Sequence, residues 1–328
     1  MSAFRICVVG CGNMALTGHG PAYRKYASEH ADTVLAGCCD LDRAKAERFR
    51  NEFGFERAYT DYRTMLDELH PDVVCLLSPV QYTCELAVEI LKKGYAVLLE
   101  KPPGRNTEEI SRILSQAQEA GVSVRSAFNR RYTPLVMKLR QLMKGERILN
   151  ITYQMYRRNR RDADFSTTAI HAIDAVKHIA GCEYESVDFL YQNLPEHGGQ
   201  VANIYMTARM ENGSVAQLTL VPMGGTTVER VTVNTDRASY FAELPFWSNP
   251  DCPGRVRRMA GNEVTDDIPG DRLVDECTPF EESGFYEENR SFFEQLRNNA
   301  PVHCDLQAAI QPVEIADCIR RRIARYEK

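Results

Sequence analysis

A lysine, a histidine and an aspartate in this chain stand where acid–base chemistry could be done. Lys101 follows the apolar run Ala96-Val97-Leu98-Leu99 and Glu100, and precedes Pro102-Pro103. The carboxyl ends of strands in open α/β sheets are where ligands bind. A lysine there can reach a ligand as a point charge or a proton donor. Further on, Thr167, His171, Asp174 and His178 recur at three- and four-residue spacing. On a helix they form one polar stripe, opposite Ile170, Ile173 and Val176. Oxidising a hydroxyl to a carbonyl releases a proton as a hydride leaves. An imidazole titrating near pH ~6.5 can accept that proton, and an ammonium can stabilise the developing alkoxide.

The hydride needs an acceptor. Gly10-Cys11-Gly12-Asn13-Met14-Ala15 follows the apolar run Phe4–Val9 and has the pattern GxGxxA of a dinucleotide-binding turn. Gly10 allows the tight turn, Gly12 lets the backbone approach a pyrophosphate, and Ala15 permits close packing of helix on strand. The amides at the start of the following helix point at the phosphates. Asp40 ends the second apolar run, where a carboxylate can accept from ribose hydroxyls. Asp40 also repels the extra phosphate of NADP, while nearby Arg43 softens the repulsion. NAD is therefore the expected cofactor, with NADP the alternative.

The basic run Arg157-Arg158-Asn159-Arg160-Arg161 has two readings. Arginine forks suit carboxylates and phosphates, so Arg157 and Arg158 are candidate substrate ligands for a uronate or a phosphorylated sugar. Equally, the run is a solvated basic face or a subunit contact.

The elements that must carry these residues alternate in the first 127 positions. Strand patterns fall at Phe4–Val9, Thr33–Cys39, Asp72–Leu77, Tyr95–Glu100 and Val122–Ser126. Helical patterns fall at Asp42–Phe53, Tyr82–Lys93 and Thr107–Ala120, the last with Thr107 as N-cap and Gly121 as stop. Such alternation predicts a doubly wound parallel sheet. After residue 148 the character changes. A strand at Ile148–Arg157 and a helix at Ser166–Ala180 precede strand patterns at Ser186–Asn193, Val201–Met210, Val215–Val221 and Glu229–Asn234. Glu211-Asn212-Gly213-Ser214 reads as a hairpin turn, so this sheet is expected to be mainly antiparallel. Residues 244–275 read as a long loop, and Phe280–Asn298 and Leu306–Tyr326 as closing helices.

The bulk properties fit this organisation. The 328 residues suffice for two domains of about 150 residues each. A net charge of −5 argues against general nucleic-acid binding, which wants a basic face. No apolar run approaches the roughly 18 residues of a membrane span. No signal peptide is expected before Phe4. The 11 cysteines form no CxxC pair, so no metal site is expected and a cytoplasmic, reducing location is.

GCGNMA, the aspartate ending the second strand, Ser78-Pro79, Glu100-Lys101-Pro102 and Phe128-Asn129-Arg130-Arg131-Tyr132 occur in this order. In that order and spacing the chain resembles the Gfo/Idh/MocA family (glucose–fructose oxidoreductase, inositol dehydrogenase, rhizopine catabolism) along essentially its whole length. The resemblance implies an α/β chain. Residues 1–127 would be a Rossmann domain, and 128–328 an α+β domain with a large open sheet for substrate binding and oligomerisation. It implies an NAD(P)-dependent oxidoreductase acting on a sugar, cyclitol or related polyol, as a homodimer or homotetramer. Lys101 would lie beside substrate and nicotinamide, with His171 and Asp174 completing the catalytic set. Gly10, Gly12, Asn13, Met14, Ala15, Asp40, Ser78, Pro79, Glu100, Lys101 and Asn129 would hold the cofactor. Glu100 could pair with or orient the lysine, and the Lys101–Pro102 bond is a candidate cis bond.

Thr167 stands where the family carries an aspartate, Ala169 where it carries glycine, and Val80 and Thr83 replace an asparagine and a histidine after Ser78-Pro79. Thr167 then becomes a candidate substrate contact, and Asp162 or Asp164 a candidate replacement for the missing carboxylate. Two other readings stay open. One is glycoside cleavage or epimerisation through transient oxidation with retained NAD. The other is a non-catalytic regulator that senses NAD(H).

Overall fold

The computed structural model of the chain describes residues 3–162, 164–247, 249–298 and 305–328. The chain divides into two compact units, one made of Met1–Phe128 with Phe285–Ile310, the other of Asn129–Gly284 with Gln311–Lys328.

The first unit is built on six short strands: β1 (Phe4–Val9), β2 (Thr33–Cys39), β3 (Arg57–Tyr59), β4 (Val73–Leu76), β5 (Ala96–Glu100) and β6 (Val124–Ala127). Every residue of β4, β5 and β6 is buried, as expected of strands covered on both faces. All neighbours are parallel, in the order β3-β2-β1-β4-β5-β6. The order reverses between β1 and β4, and at such a switch point a crevice opens at the carboxyl ends of the strands.

The connections are α1 (Gly20–Glu29), α2 (Arg43–Phe53), α3 (Tyr62–Leu69), α4 (Val80–Lys92) and α5 (Thr107–Ala120). Asp42 starts α2 by accepting from the amides of Ala44 and Lys45. At α5 the cap is Asn106, not Thr107. The extended backbone of Asn106, φ −157°, turns its amide oxygen onto Glu109 N at 3.0 Å. β3 escapes the sequence reading because three residues are too few to display a period, whereas α3 escapes it although its buried Tyr62, Met65, Leu66 and Leu69 recur at helical spacing.

The second unit begins with α6 (Pro134–Leu142), then β7 (Ile148–Tyr156) and α7 (Ser166–Ala180). Next come β8 (Tyr184–Asn193), β9 (Ala202–Met210), β10 (Val215–Val221), β11 (Val228–Thr235), β12 (Ser239–Leu244), β13 (Arg255–Ala260) and β14 (Glu263–Pro269). With β15 (Arg325–Glu327) they form one sheet, in the order β14-β13-β12-β11-β7-β10-β9-β8-β15. Neighbours are antiparallel except β7 and β10, which are parallel. Alternation along β7 buries Ile151, Tyr153 and Met155, and α7 packs on β7 and β10.

The expected loop at 244–275 contains a hairpin. β13 and β14 pair through a turn in which Gly261 and Asn262 both have positive φ, +59° and +65°. Gly-Asn between alternating residues is a hairpin signal, masked here by the charge of the two strands. Ser248, inside this stretch, lies outside the described residues.

The closing helices also differ from the sequence reading. The first is split into α8 (Pro279–Glu282) and α9 (Phe285–Arg297) at Gly284, whose φ is +86°. The second shortens to α10 (Ile310–Arg320), and Arg325–Glu327 pairs with β8 instead of staying helical. Residues 285–310 return to the first unit, where Phe292 and Phe293 join the core under β1 and α1.

Candidate active site

The turn after β1 is fixed by backbone geometry. Gly10 has φ +101°, and its amide donates to Cys39 O at 2.8 Å. Leu77, just past β4, donates its amide to Val9 O at 2.8 Å, which draws the end of β4 tightly against the turn. Gly12 is the opposite case: a Cβ there would meet nothing within 4 Å. The turn thus closes against protein at its first glycine and opens into free space at its second. The helix that follows begins at once, with Leu16 N donating to Gly12 O at 3.0 Å. Its stretch Ala15–His19 is wound as a π-helix before α1.

Asp40 tightens the same turn. One carboxylate oxygen accepts from Cys11 N at 2.9 Å, and the other accepts from Asp42 N at 2.9 Å. The carboxylate therefore lies at the carboxyl end of β2, against the glycine turn. Arg43 is mostly exposed and paired with Glu47 across one helical turn. After β4, Ser78 is half-buried and its hydroxyl meets Thr83 Oγ1 at 3.1 Å, while Pro79 is exposed. Open space beside Gly12, the helix start and the placed carboxylate fit a dinucleotide.

At the end of β5 the Lys101–Pro102 peptide is cis. Glu100 is buried and takes His19 Nε2 at 3.4 Å. Burial works to raise the Glu100 pKa. The His19 hydrogen bond, the charge of Lys101 and the Lys101 backbone N–H outweigh it and hold the carboxyl below its ordinary value. His19 is fully buried and absent from the sequence reading. Its signal was nonetheless there: Ala15, His19, Ala22, Tyr23 and Tyr26 form one buried stripe at helical spacing, with a histidine in it.

Lys101 belongs to the first unit; Asn129, Arg157, Arg158, Thr167, His171 and Asp174 belong to the second. There the polar stripe on α7 meets arginines at three successive positions. His171 Nε2 lies 3.5 Å from Arg130 Nη1. Asp174, with no exposed surface, takes Arg131 in a fork at 2.8 and 2.5 Å. His178 Nε2 accepts from Arg140 at 3.0 Å. Burial, with Arg140 and Arg131 adding repulsion, pushes the His178 pKa down to about 3. Asp174 is thus an anchor for Arg131, and a guanidinium N–H faces the Nε2 lone pair of His171.

The basic run splits by burial. Arg157 is buried and binds Glu229, while Arg158 is exposed. Glu229 is 1% exposed, and it also takes the Arg130 fork and the Tyr153 phenol at 2.7 Å. Burial opposes ionisation of Glu229, but the two guanidiniums outweigh it and hold its carboxyl far below the usual range. Phe246 lies under both cations, 4.9 Å from Arg130 and 4.2 Å from Arg157. The Arg157 fork is therefore committed to a core ion pair. Asn129 is committed as well: its amide donates to Ser283 O at 2.8 Å and accepts from Arg130 at 2.9 Å. Asp162 binds Arg160 and Asp164 receives the Ser166 amide at 2.9 Å, while Thr167 Oγ1 reaches Asp164 O at 3.3 Å. No cluster of His, Cys, Asp and Glu suited to a metal occurs among the described residues, and none of their helices is long and apolar enough to cross a membrane.

Residues 4–128 match the Gfo/Idh/MocA family model, described as an oxidoreductase family with an NAD-binding Rossmann fold. D-glucoside 3-dehydrogenase of Escherichia coli is 26% identical over 140 residues, covering 43% of this chain and 39% of that protein. Myo-inositol 2-dehydrogenase of Thermotoga maritima is 24% identical over 194 residues, covering 56% of this chain and 57% of that protein. The chain thus aligns with less than two thirds of either relative. Levoglucosan dehydrogenase, solved in complex with NADH and levoglucosan, superposes with a TM-score of 0.83 at 18% identity over 99% of both chains, a likeness of fold.

Proposed function

We propose that the chain, whose residues 4–128 match the Gfo/Idh/MocA oxidoreductase family with its NAD-binding Rossmann fold, is an oxidoreductase of that family and oxidises a secondary hydroxyl of a sugar, cyclitol or related polyol with NAD. The observation that carries this reading is the convergence of groups on one sheet edge. The glycine turn follows β1, Asp40 follows β2, and buried Glu100 with half-buried Lys101 after it stands at the end of β5. Gly10, Gly12 and the amides from Asn13 to Ala15 would cradle the pyrophosphate, and Asp40 the adenosine ribose. Asp40 favours NAD because a carboxylate repels a 2′-phosphate, and Arg43 beside it is engaged with Glu47.

When bound, the nicotinamide ring supplies the hydride acceptor. Lys101 holds the substrate oxygen and stabilises the charge that grows on it as the carbon–hydrogen bond breaks. The hydroxyl proton passes to a protein base. His171 is the proposed acceptor at Nε2, the nitrogen whose lone pair Arg130 faces, so Arg130 must give up that contact as the proton arrives, and Asp174 acts through Arg131. Two relatives named for glucoside and inositol oxidation support the substrate class.

A homo-oligomer joined through the open sheet face, where Leu190, Val215 and Phe241 are exposed, belongs to the same proposal. So does a cytoplasmic location, in keeping with the ten described cysteines, all free thiols. The test is a panel of sugars, cyclitols and uronates with NAD and NADP, followed by absorbance of the reduced nicotinamide. Tight NADH binding with no turnover on any of them would overturn the dehydrogenase reading.

A further inference from the structure

His19 sits in the first unit on the π-helical stretch between the glycine turn and α1. Gly18 makes its position possible. A Cβ there would lie 2.8 Å from the Phe285 ring, so only glycine lets α9 come this close. The Phe285 ring then packs edge-on against the imidazole at 5.1 Å, and α9 brings Asn289 within reach. Asn289 Nδ2 donates to Phe285 O at 2.7 Å and to His19 Nδ1 at 3.1 Å. Because the first bond fixes the direction of the amide, Nδ1 is the accepting nitrogen. Nε2 therefore carries the proton and donates to Glu100 Oε1 at 3.4 Å. Tyr23 on α1, Cys75 on β4 and Glu288 on α9 are further titratable groups around this core. Burial keeps the Tyr23 phenol un-ionised.

We propose that His19 is a positioning residue for Lys101. It donates Nε2–H to Glu100 and so fixes that buried carboxylate against the backbone and ammonium of the lysine. Asn289 fixes the histidine tautomer that makes this possible. The lysine then keeps its proton and its direction through a chain that starts two elements away. This inference rests on the reading of Lys101 as the group that holds the substrate oxygen.

The test needs no substrate. The protonation midpoint of Lys101 is read in the protein without cofactor by competitive acetylation across pH, followed by mass spectrometry. His19→Leu and Glu100→Gln should both lower that midpoint, by on the order of one pH unit, because the ammonium loses a fixed counter-charge. His19→Gln places a side-chain N–H near the Nε2 position and should restore the wild-type midpoint. Asn289→Leu leaves His19 in place. In that variant ¹⁵N spectra of the ring should change from a single Nε2–H tautomer to a mixture. A Lys101 midpoint unmoved in both His19→Leu and His19→Gln would reduce His19 to core packing and overturn the proposal. Should His19→Leu not fold, an unmoved midpoint in Glu100→Gln, with no tautomer change in Asn289→Leu, would overturn it as well. Shifted midpoints in a protein that turns over no polyol would leave this inference standing and remove the dehydrogenase reading.

Discussion

The Cβ that Gly10 lacks would lie 2.6 Å from the carbonyl oxygen of Leu77. Gly10 also has φ +101°, so alanine there meets both backbone strain and a backbone clash. Gly10→Ala should destabilise the first unit by about 1–3 kcal/mol and abolish NADH binding. Gly12→Ala is the control, since protein leaves room for that methyl. It should unfold at the wild-type temperature yet bind NADH at least about tenfold more weakly, a loss of about 1.4 kcal/mol. Calorimetry paired with fluorescence titration of NADH separates the two, and equal loss of stability would refute the distinction.

Lys101 follows β5 beside a carboxylate held ionised, where an ammonium serves charge stabilisation better than cofactor affinity. Lys101→Met should lower kcat by roughly 10²–10³-fold, the cost of one lost electrostatic contact to a developing oxyanion. The dissociation constant of NADH should stay within a few-fold of wild type. Steady-state kinetics on the best polyol and NADH titration check both halves.

Glu229 balances two buried guanidiniums. Replacing it by glutamine leaves Arg130 and Arg157 facing each other without a counter-ion. Breaking a buried pair on one side costs about 3–5 kcal/mol, so Glu229→Gln should move the urea midpoint strongly downward. A near-neutral outcome would mean that solvent reaches the cluster.

Acid should weaken the protein in two stages. His178 titrates at 6.5 when unfolded and at about 3 when folded. Between those values the unfolded chain binds a proton that the folded chain refuses, so stability falls as pH drops from 6.5, by up to about 1.4 kcal/mol per pH unit. Glu100 and Glu229 have folded pKa values below 4.5, so their contribution is complete above that pH and is lost below it. Urea midpoints from pH 7 to 4 should slope in the wild type and flatten above pH 4.5 in His178→Gln.

The sequence made the first unit legible because its chemistry is local. A glycine turn, an aspartate at a strand end and a lysine before proline each announce themselves within a few residues. The α7 stripe was legible too, since helical spacing placed His171, Asp174 and His178 on one face. What occupies that face was not, because Arg130, Arg131 and Arg140 arrive from another part of the chain. The same holds for Arg157, whose fork looked available until β11 supplied Glu229. Asn289 lies farthest from its partner in sequence. Its only trace was polarity inside the apolar stripe of Phe285, Phe292 and Phe293.

The return of residues 285–310 to the first unit has a consequence for synthesis on the ribosome. Phe292 and Phe293 belong to the core beneath β1 and α1, and Asn289 to the neighbourhood of His19. A nascent chain that has just finished Phe128 holds every strand of its sheet and the glycine turn, but lacks this aromatic wedge. The nucleotide fold must wait until about nine tenths of the chain has emerged, so a fragment ending at residue 128 should be prone to aggregate.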